Sequence, residues 1–280
     1  MRATLAAGAA LASMVIGGSP AMAQTDRDWT GLSVGILGGG LQTKDRSGER
    51  LVFDRDFDGQ FDDAVVTVPG ADAFSPGFCG GSANGAQAAQ GCDDDKEGVE
   101  AALRVGYDQQ FGSFVVGALA EVSTSTAEDS VTGFSTTPAY YTFKRNLQGM
   151  VAARLRAGYA IGPALLYGTG GYAMGRIDNR FTTSNTVNAF STTNDDETDA
   201  DGWQAGGGVE WRLAPRLSAT AEYLYTSLDV DDPFVVRVSR GGAPATNPFI
   251  LPLNTAGTDI ARTAEEFRVH AVRIGMAYRF

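Results

Sequence analysis

The 280-residue chain has a single histidine, His270, and only two cysteines, and no run of 18 consecutive apolar residues follows Gln24. The lone histidine excludes histidine-rich metal centres and makes any Ser/His/Asp or Cys/His mechanism depend on His270. Positive charge is in the minority, with 22 Lys+Arg against 33 Asp+Glu for a net charge of -11. That balance excludes a general nucleic-acid binder, which needs a basic footprint to displace counterions. No helix of the ~20 apolar residues that span a bilayer is present. A disordered tail is excluded too, because 43% of the residues are apolar.

What is present begins with a targeting signal. Residues 1–23 carry Arg2, an apolar small-residue run from Leu5 to Gly18, and Ala21-Met22-Ala23, the small-x-small form of a secretory cleavage site. The expected mature chain is one domain, 24–280, working outside the cytoplasm. Without a spanning helix, it is either soluble in an exported compartment or a membrane β-barrel.

Period-2 alternation decides between the two. In Val99 to Gln110, Val99, Ala101, Leu103, Val105 and Tyr107 share one face, opposite Glu100, Arg104, Gly106 and Asp108. The same alternation runs through Leu147–Tyr159 and Val272–Phe280. Further strands are expected at about Thr30–Gln42, Phe114–Ser123, Ala164–Ile177, Gly202–Arg212 and Leu217–Asp229, eight in all. All ten prolines fall outside these spans, as they must if every strand pairs on both sides. The connections alternate strictly. Three short ones, at 111–113, 161–163 and 213–215, alternate with long ones at roughly 43–98, 124–142, 178–201 and 230–265. Short periplasmic turns and long external loops are the mark of an eight-stranded antiparallel up-and-down transmembrane β-barrel of the outer membrane.

The polar parity carries both signs: Glu100, Arg104, Glu121, Arg154, Arg156, Glu210, Glu222 and Arg273. Mixed charge on one continuous face predicts a self-neutralising network in a narrow lumen, with the apolar parity facing lipid. Trp29, Tyr107, Phe111, Tyr159, Trp211, Tyr278 and Phe280 gather near the turn end, where an interfacial girdle belongs.

Three stretches carry a family resemblance: Trp29-Thr30-Gly31-Leu32-Ser33-Val34-Gly35, Ala221-Glu222-Tyr223-Leu224-Tyr225, and Arg273-Ile274-Gly275-Met276-Ala277-Tyr278-Arg279-Phe280. In this order the chain resembles the small opacity-type, porin-like outer-membrane β-barrel proteins of Gram-negative bacteria. The similarity covers about residues 29–280, with the loops departing most. It implies a barrel embedded in outer-membrane lipid, and the terminal Tyr278 and Phe280 are similar to the signal read by the barrel-assembly machinery. The family is functionally mixed, so the resemblance implies no reaction.

Within the long acidic loop 43–98, Asp54, Asp56, Asp58, Gln60 and Asp62 form a D-x-D-x-D-G-x-x-D pattern around Gly59. Carboxylates at positions 1, 3, 5 and 9, with the Gln60 carbonyl at 7, suit Ca2+, which takes six to eight oxygens. Position 12 is Val65, so a standard EF-hand is excluded, and the competing reading is a plain hairpin tip built on Asp58-Gly59. The loop holds twelve acidic and five basic residues, a surface suited either to solvation or to divalent-cation bridging to anionic lipid. Further acidic residues gather at Asp93-Asp94-Asp95, Asp195-Asp196-Glu197 and Asp229, Asp231 and Asp232. Cys79 and Cys92, both in the first loop of an exported protein, are expected to form one disulfide.

Catalysis is not expected. Outer-membrane lipid A deacylases place a serine two residues beyond their histidine, whereas Val272 stands there, with Glu265 and Glu266 nearby. The sequence therefore predicts a structural or interaction protein of the cell outer membrane. A narrow porin is the alternative and a lipid-modifying enzyme a distant third.

Overall fold

The computed structural model describes residues 28–43, 48–95, 97–194, 196–230, 233–252, 255–263 and 266–280. The signal-peptide reading over 1–23 lies outside these residues, as do Asp195, Asp231, Asp232 and Glu265.

Eight long strands form the body: β1 (Gly31–Thr43), β2 (Gly98–Phe111), β3 (Phe114–Ser135), β4 (Ala139–Ile161), β5 (Ala164–Thr183), β6 (Glu197–Ala214), β7 (Leu217–Val230) and β8 (Glu266–Arg279). Each pairs antiparallel with its sequence neighbours, and β8 closes the ring on β1 from Ser33↔Arg279 to Thr43↔Val269. Closure leaves no edge, the condition a sheet must meet in lipid. Alternation then sorts the side chains. Ile36, Val99, Leu103, Val151, Leu155, Val272 and Ile274 are exposed on the outer wall, while Glu100, Arg104, Glu121, Arg154, Glu222 and Arg273 are buried within. The tight turns use Gly112 (φ 62) and Gly162 (φ 59), where a side chain would be strained.

One of the four expected long connections is not a loop. Residues 124–142 are a continuation of the β3–β4 hairpin, turning only at Thr136-Thr137-Pro138 and passing bulges near Thr124–Ala127 and Leu147–Gly149. Segments of the other three long connections build an external cap. Leu51–Asp54, Ala189–Thr192, Val236–Ser239 and Thr258–Arg262 join in one four-stranded antiparallel sheet. Its apolar faces enclose Leu51, Phe53, Phe74, Tyr141, Phe143, Phe249 and Ile260. Leu51–Asp54 therefore finds its ladder partner in 258–262. Of the hairpin that the sequence offers around Asp58-Gly59, one bridge forms, Phe53↔Asp63.

The turn-end girdle also needs one correction. Tyr107, Phe111, Tyr159, Trp211, Tyr278 and Phe280 are exposed, with Phe114 beside them, but Trp29 is 0% exposed. It lies inside the barrel mouth, stacked by the guanidinium groups of Arg212 at 4.5 Å and Arg279 at 5.4 Å. A planar ring between two cations closes the end of the barrel better than it could anchor it. A second exposed aromatic set, Tyr172, Trp203 and Tyr223, lies towards the cap.

Candidate functional site

The lumen is filled in layers. Nearest the short turns, Arg156 donates to Glu210 at 2.7 Å and to Asp108 at 3.0 Å, Arg279 donates to Asp108 at 3.0 Å, and the Ser218 hydroxyl donates to Glu210 at 2.6 Å. Two arginines thus face two carboxylates. Asp108 fits because Gly117 stands opposite, where an added Cβ would lie 2.1 Å from its Oδ1.

Above it, three arginines face three glutamates. Arg273 donates to Glu121 at 2.8 Å, Glu222 at 3.1 Å and Glu100 at 3.4 Å. Arg104 reaches Glu121 at 2.9 Å and Glu222 at 2.8 Å, Arg154 reaches Glu121 at 2.8 Å, and the Tyr167 hydroxyl donates to Glu222 at 2.7 Å. Multiple charge-assisted bonds per group are what a buried charge requires. All eight lumen residues marked in the sequence are buried here, divided between two clusters. A cavity of about 10 Å3 between Arg104, Arg156 and Glu210 has room for one water at most.

The expected polar parity does not continue to the outer end. There the inward residues are Leu41, Leu147, Ile177, Leu224, Leu228, Phe267 and Val269, all nearly fully buried. This layer resembles the core of a soluble protein, and a further charged layer roofs it. Arg262 donates to Asp129 at 2.8 Å and to Glu49 at 2.6 Å, while Arg145 donates to Asp129 at 3.1 Å. Burial pushes the Glu49 carboxyl above its ordinary value, against the pull of Arg262. The sequence does not reveal this quartet because all four residues lie beyond the strands that alternation marks.

In the first loop, Asp54, Asp56 and Asp58 bring carboxylate oxygens within 4.8 Å of one another, a cluster that could hold a metal ion. Local turns set that spacing. Asp54 accepts from the Phe57 and Gly59 amides at 2.6 and 2.9 Å, Asp56 from Asp58 N at 3.2 Å, and Asp58 from Gln60 N at 2.7 Å. Phe57 (φ 64) and Gly59 (φ 88) take the left-handed backbone the turn needs, and the Phe57 ring lies under Arg237 at 4.1 Å. Asp62 lies outside the cluster, and its neighbour Asp63 turns inward instead, accepting from Arg55 N at 2.6 Å. Val65, 1% exposed, belongs to the cap core, which explains an apolar twelfth position.

Cys79 and Cys92 form a disulfide, closing a loop of 13-residue separation. Gly77–Gly80 pairs with the β3 extension at Val131–Phe134, so the bond pins this part of the loop to the hairpin. Replacing both cysteines by Ser should remove about 3 kcal/mol of loop-closure stabilisation. Faster protease cleavage within 80–91, with the barrel's gel migration unchanged, is the expected readout.

His270 lies on the outer wall, where Tyr223 OH and its Nδ1 are 2.6 Å apart and Tyr225 packs at 5.0 Å. Its partner is a phenol and not a serine. Tyr278 and Phe280, whose rings meet edge to face at 5.1 Å, end β8 on the outer wall.

The comparisons with known proteins agree with this architecture. The family described as outer membrane protein beta-barrel domain matches residues 9–280. The chain is 29% identical over 186 residues to the 31 kDa outer-membrane immunogenic proteins of Brucella melitensis and Brucella suis, covering 65% of this chain and 67% of each relative. Among solved structures, the outer membrane protein OprG of Pseudomonas aeruginosa superposes with a TM-score of 0.50 at 12% identity, covering 92% of this chain and 100% of that one, a likeness of fold. The chain belongs to the outer membrane protein beta-barrel domain family, and its closed eight-stranded ring is an outer-membrane barrel.

Proposed function

We propose that this protein is a structural and interaction protein of the outer membrane, a non-enzymatic barrel that presents an ordered external cap and conducts nothing. The observation that carries the reading is the stacked filling of the lumen: two neutral Arg–carboxylate clusters, an apolar plug and a third charged layer beneath the cap. An eight-stranded barrel is just wide enough for side chains to fill, and here they do. The narrow-porin alternative requires that this column part without a ligand. In planar bilayers the refolded protein should give no stepwise current in 1 M salt, and reproducible unitary steps would overturn the reading.

The same reading takes the Asp54–Asp58 cluster as a calcium site that fixes the first loop. Hard carboxylate oxygens already held within 4.8 Å support it, since little loop ordering is left for the ion to impose. Calorimetric titration of Ca2+ into the detergent-refolded chain should give a saturable heat that Asp54→Asn/Asp56→Asn/Asp58→Asn loses. Absence of heat in both proteins would reduce the segment to a turn. Recognition of Tyr278 and Phe280 by the assembly machinery belongs to the proposal as well, supported by their exposure on the outer wall at the turn end of the closing strand.

A further inference from the structure

The cap holds one feature that the plugged barrel does not explain. At the tip of the β3–β4 hairpin, residues from four separate parts of the chain enclose a pocket of about 450 Å3. Its size lies within the ~300–1,000 Å3 range of small-molecule sites. Phe74, Tyr141 and Phe249 form its base, and Pro138, Pro244 and Pro248 contribute to its walls. The base is rigid: Phe74 packs at 5.3 Å from Tyr141 and 6.0 Å from Phe249, and Tyr141 at 5.6 Å from Phe249.

The polar side of the pocket is fixed as firmly. Asn185 Nδ2 donates to the Tyr141 hydroxyl and to Asn188 Oδ1, both at 2.9 Å, and Asn247 Nδ2 donates to Asn188 Oδ1 at 3.0 Å. Asn188 donates in turn to the Ser239 carbonyl at 3.1 Å, tying loop 184–188 to loop 239–249. Among the described residues, the hydroxyls of Thr136, Thr137, Thr186 and Thr246 around this frame make no hydrogen bond to protein. They are available to a ligand.

Among the described residues no Asp, Glu, Lys, Arg or His lines the pocket, in a protein whose net charge is -11. A charged ligand would lose hydration here without finding a counterion. A purely apolar ligand would strip water from the hydroxyl and amide groups without replacing its hydrogen bonds. The chemistry that satisfies both surfaces is neutral, hydroxyl-rich and apolar on one face. We propose that this pocket binds the hexose units of neutral saccharides, either free in solution or at the end of a surface glycan.

The test uses the full refolded chain in an amine-oxide detergent, which carries no sugar headgroup, with EDTA present so that the Asp54–Asp58 loop plays no part. Saturation-transfer NMR is recorded with maltose and, separately, with a neutral outer-core hexose oligosaccharide of lipopolysaccharide, free of phosphate and of acidic sugars, with glucuronate as the charged control. We expect saturable transfer from at least one neutral probe, and which of the two binds tighter distinguishes a free from a surface-bound source. Thr246→Trp, at an exposed lip residue, should weaken binding at least tenfold while gel migration stays that of the folded barrel. If that variant fails to fold, Thr137→Trp on the hairpin lip serves in its place. Absence of transfer from both neutral probes, binding unchanged in the folded Trp variant, or equal binding of glucuronate would each overturn the proposal.

Discussion

Arg273→Ala should lower the unfolding free energy by about 3–5 kcal/mol, the cost of removing one partner from a buried ion cluster. Its side chain is 0% exposed and contacts Glu100, Glu121 and Glu222 together, so among the described residues no other single loss leaves as many carboxylates short of a partner. Arg104 and Arg154 remain, but three buried glutamates then share two arginines. The measurement is urea unfolding in detergent or vesicles, followed by tryptophan fluorescence. A second arm separates charge from volume. Glu222→Gln added to Arg273→Ala removes one excess negative charge, and the double variant should recover part of the loss as a coupling energy. A single-variant loss below ~1 kcal/mol would mean that water enters the lumen and solvates the glutamates, since exposed pairs contribute only about that much. In that event the porin reading gains what the plugged-barrel reading loses.

How far the sequence reveals such a network depends on burial. Where lipid lies on one side of a strand and the lumen on the other, alternation is clean. Thr30–Gln42, Val99–Gln110 and Leu217–Asp229 were therefore legible to within one or two residues of β1, β2 and β7. Beyond residue 128 of β3 both faces become covered, one by the neighbouring hairpin and loops and the other by the cap. Six consecutive residues, Asp129 to Phe134, are buried. A period of two needs one wet or lipid-facing side to be visible, so in the sequence the hairpin extension looks like a loop. Asp108 and Arg279 sat on the correct parity of their strands but at the ends, where sequence alone does not tell lumen from rim. Trp29 is ambiguous for the same reason, because an aromatic residue at a barrel end suits a girdle and a plug equally well. The Asp54–Asp58 spacing was legible because adjacent turns set it locally. The cap pocket was not, since it needs four segments up to about 175 residues apart, from Phe74 to Phe249.

Phe74→Ala should melt the cap while leaving the barrel intact. Phe74 is 2% exposed and is the hub of the cap's aromatic cluster, with Phe53 at 4.6 Å, Tyr141 at 5.3 Å, Phe249 at 6.0 Å and Phe78 at 6.1 Å. Truncating a buried Phe to Ala costs about 3–5 kcal/mol, from lost transfer energy and the cavity left behind. The cap core shares no residue with the apolar plug inside the barrel, and the Arg145–Arg262–Asp129–Glu49 layer separates them. The loss should therefore fall on local opening of the cap, with the barrel's own ladder of backbone bonds untouched. At ~1.4 kcal/mol per tenfold, protease cleavage in 49–76 and 233–263 should speed up by at least a hundredfold when opening is in rapid equilibrium. Heat-modifiable gel migration of the cleaved product should stay that of a folded barrel. Loss of that migration together with the cap would show that cap and barrel unfold as one unit, and that the external loops contribute to holding the closed ring together.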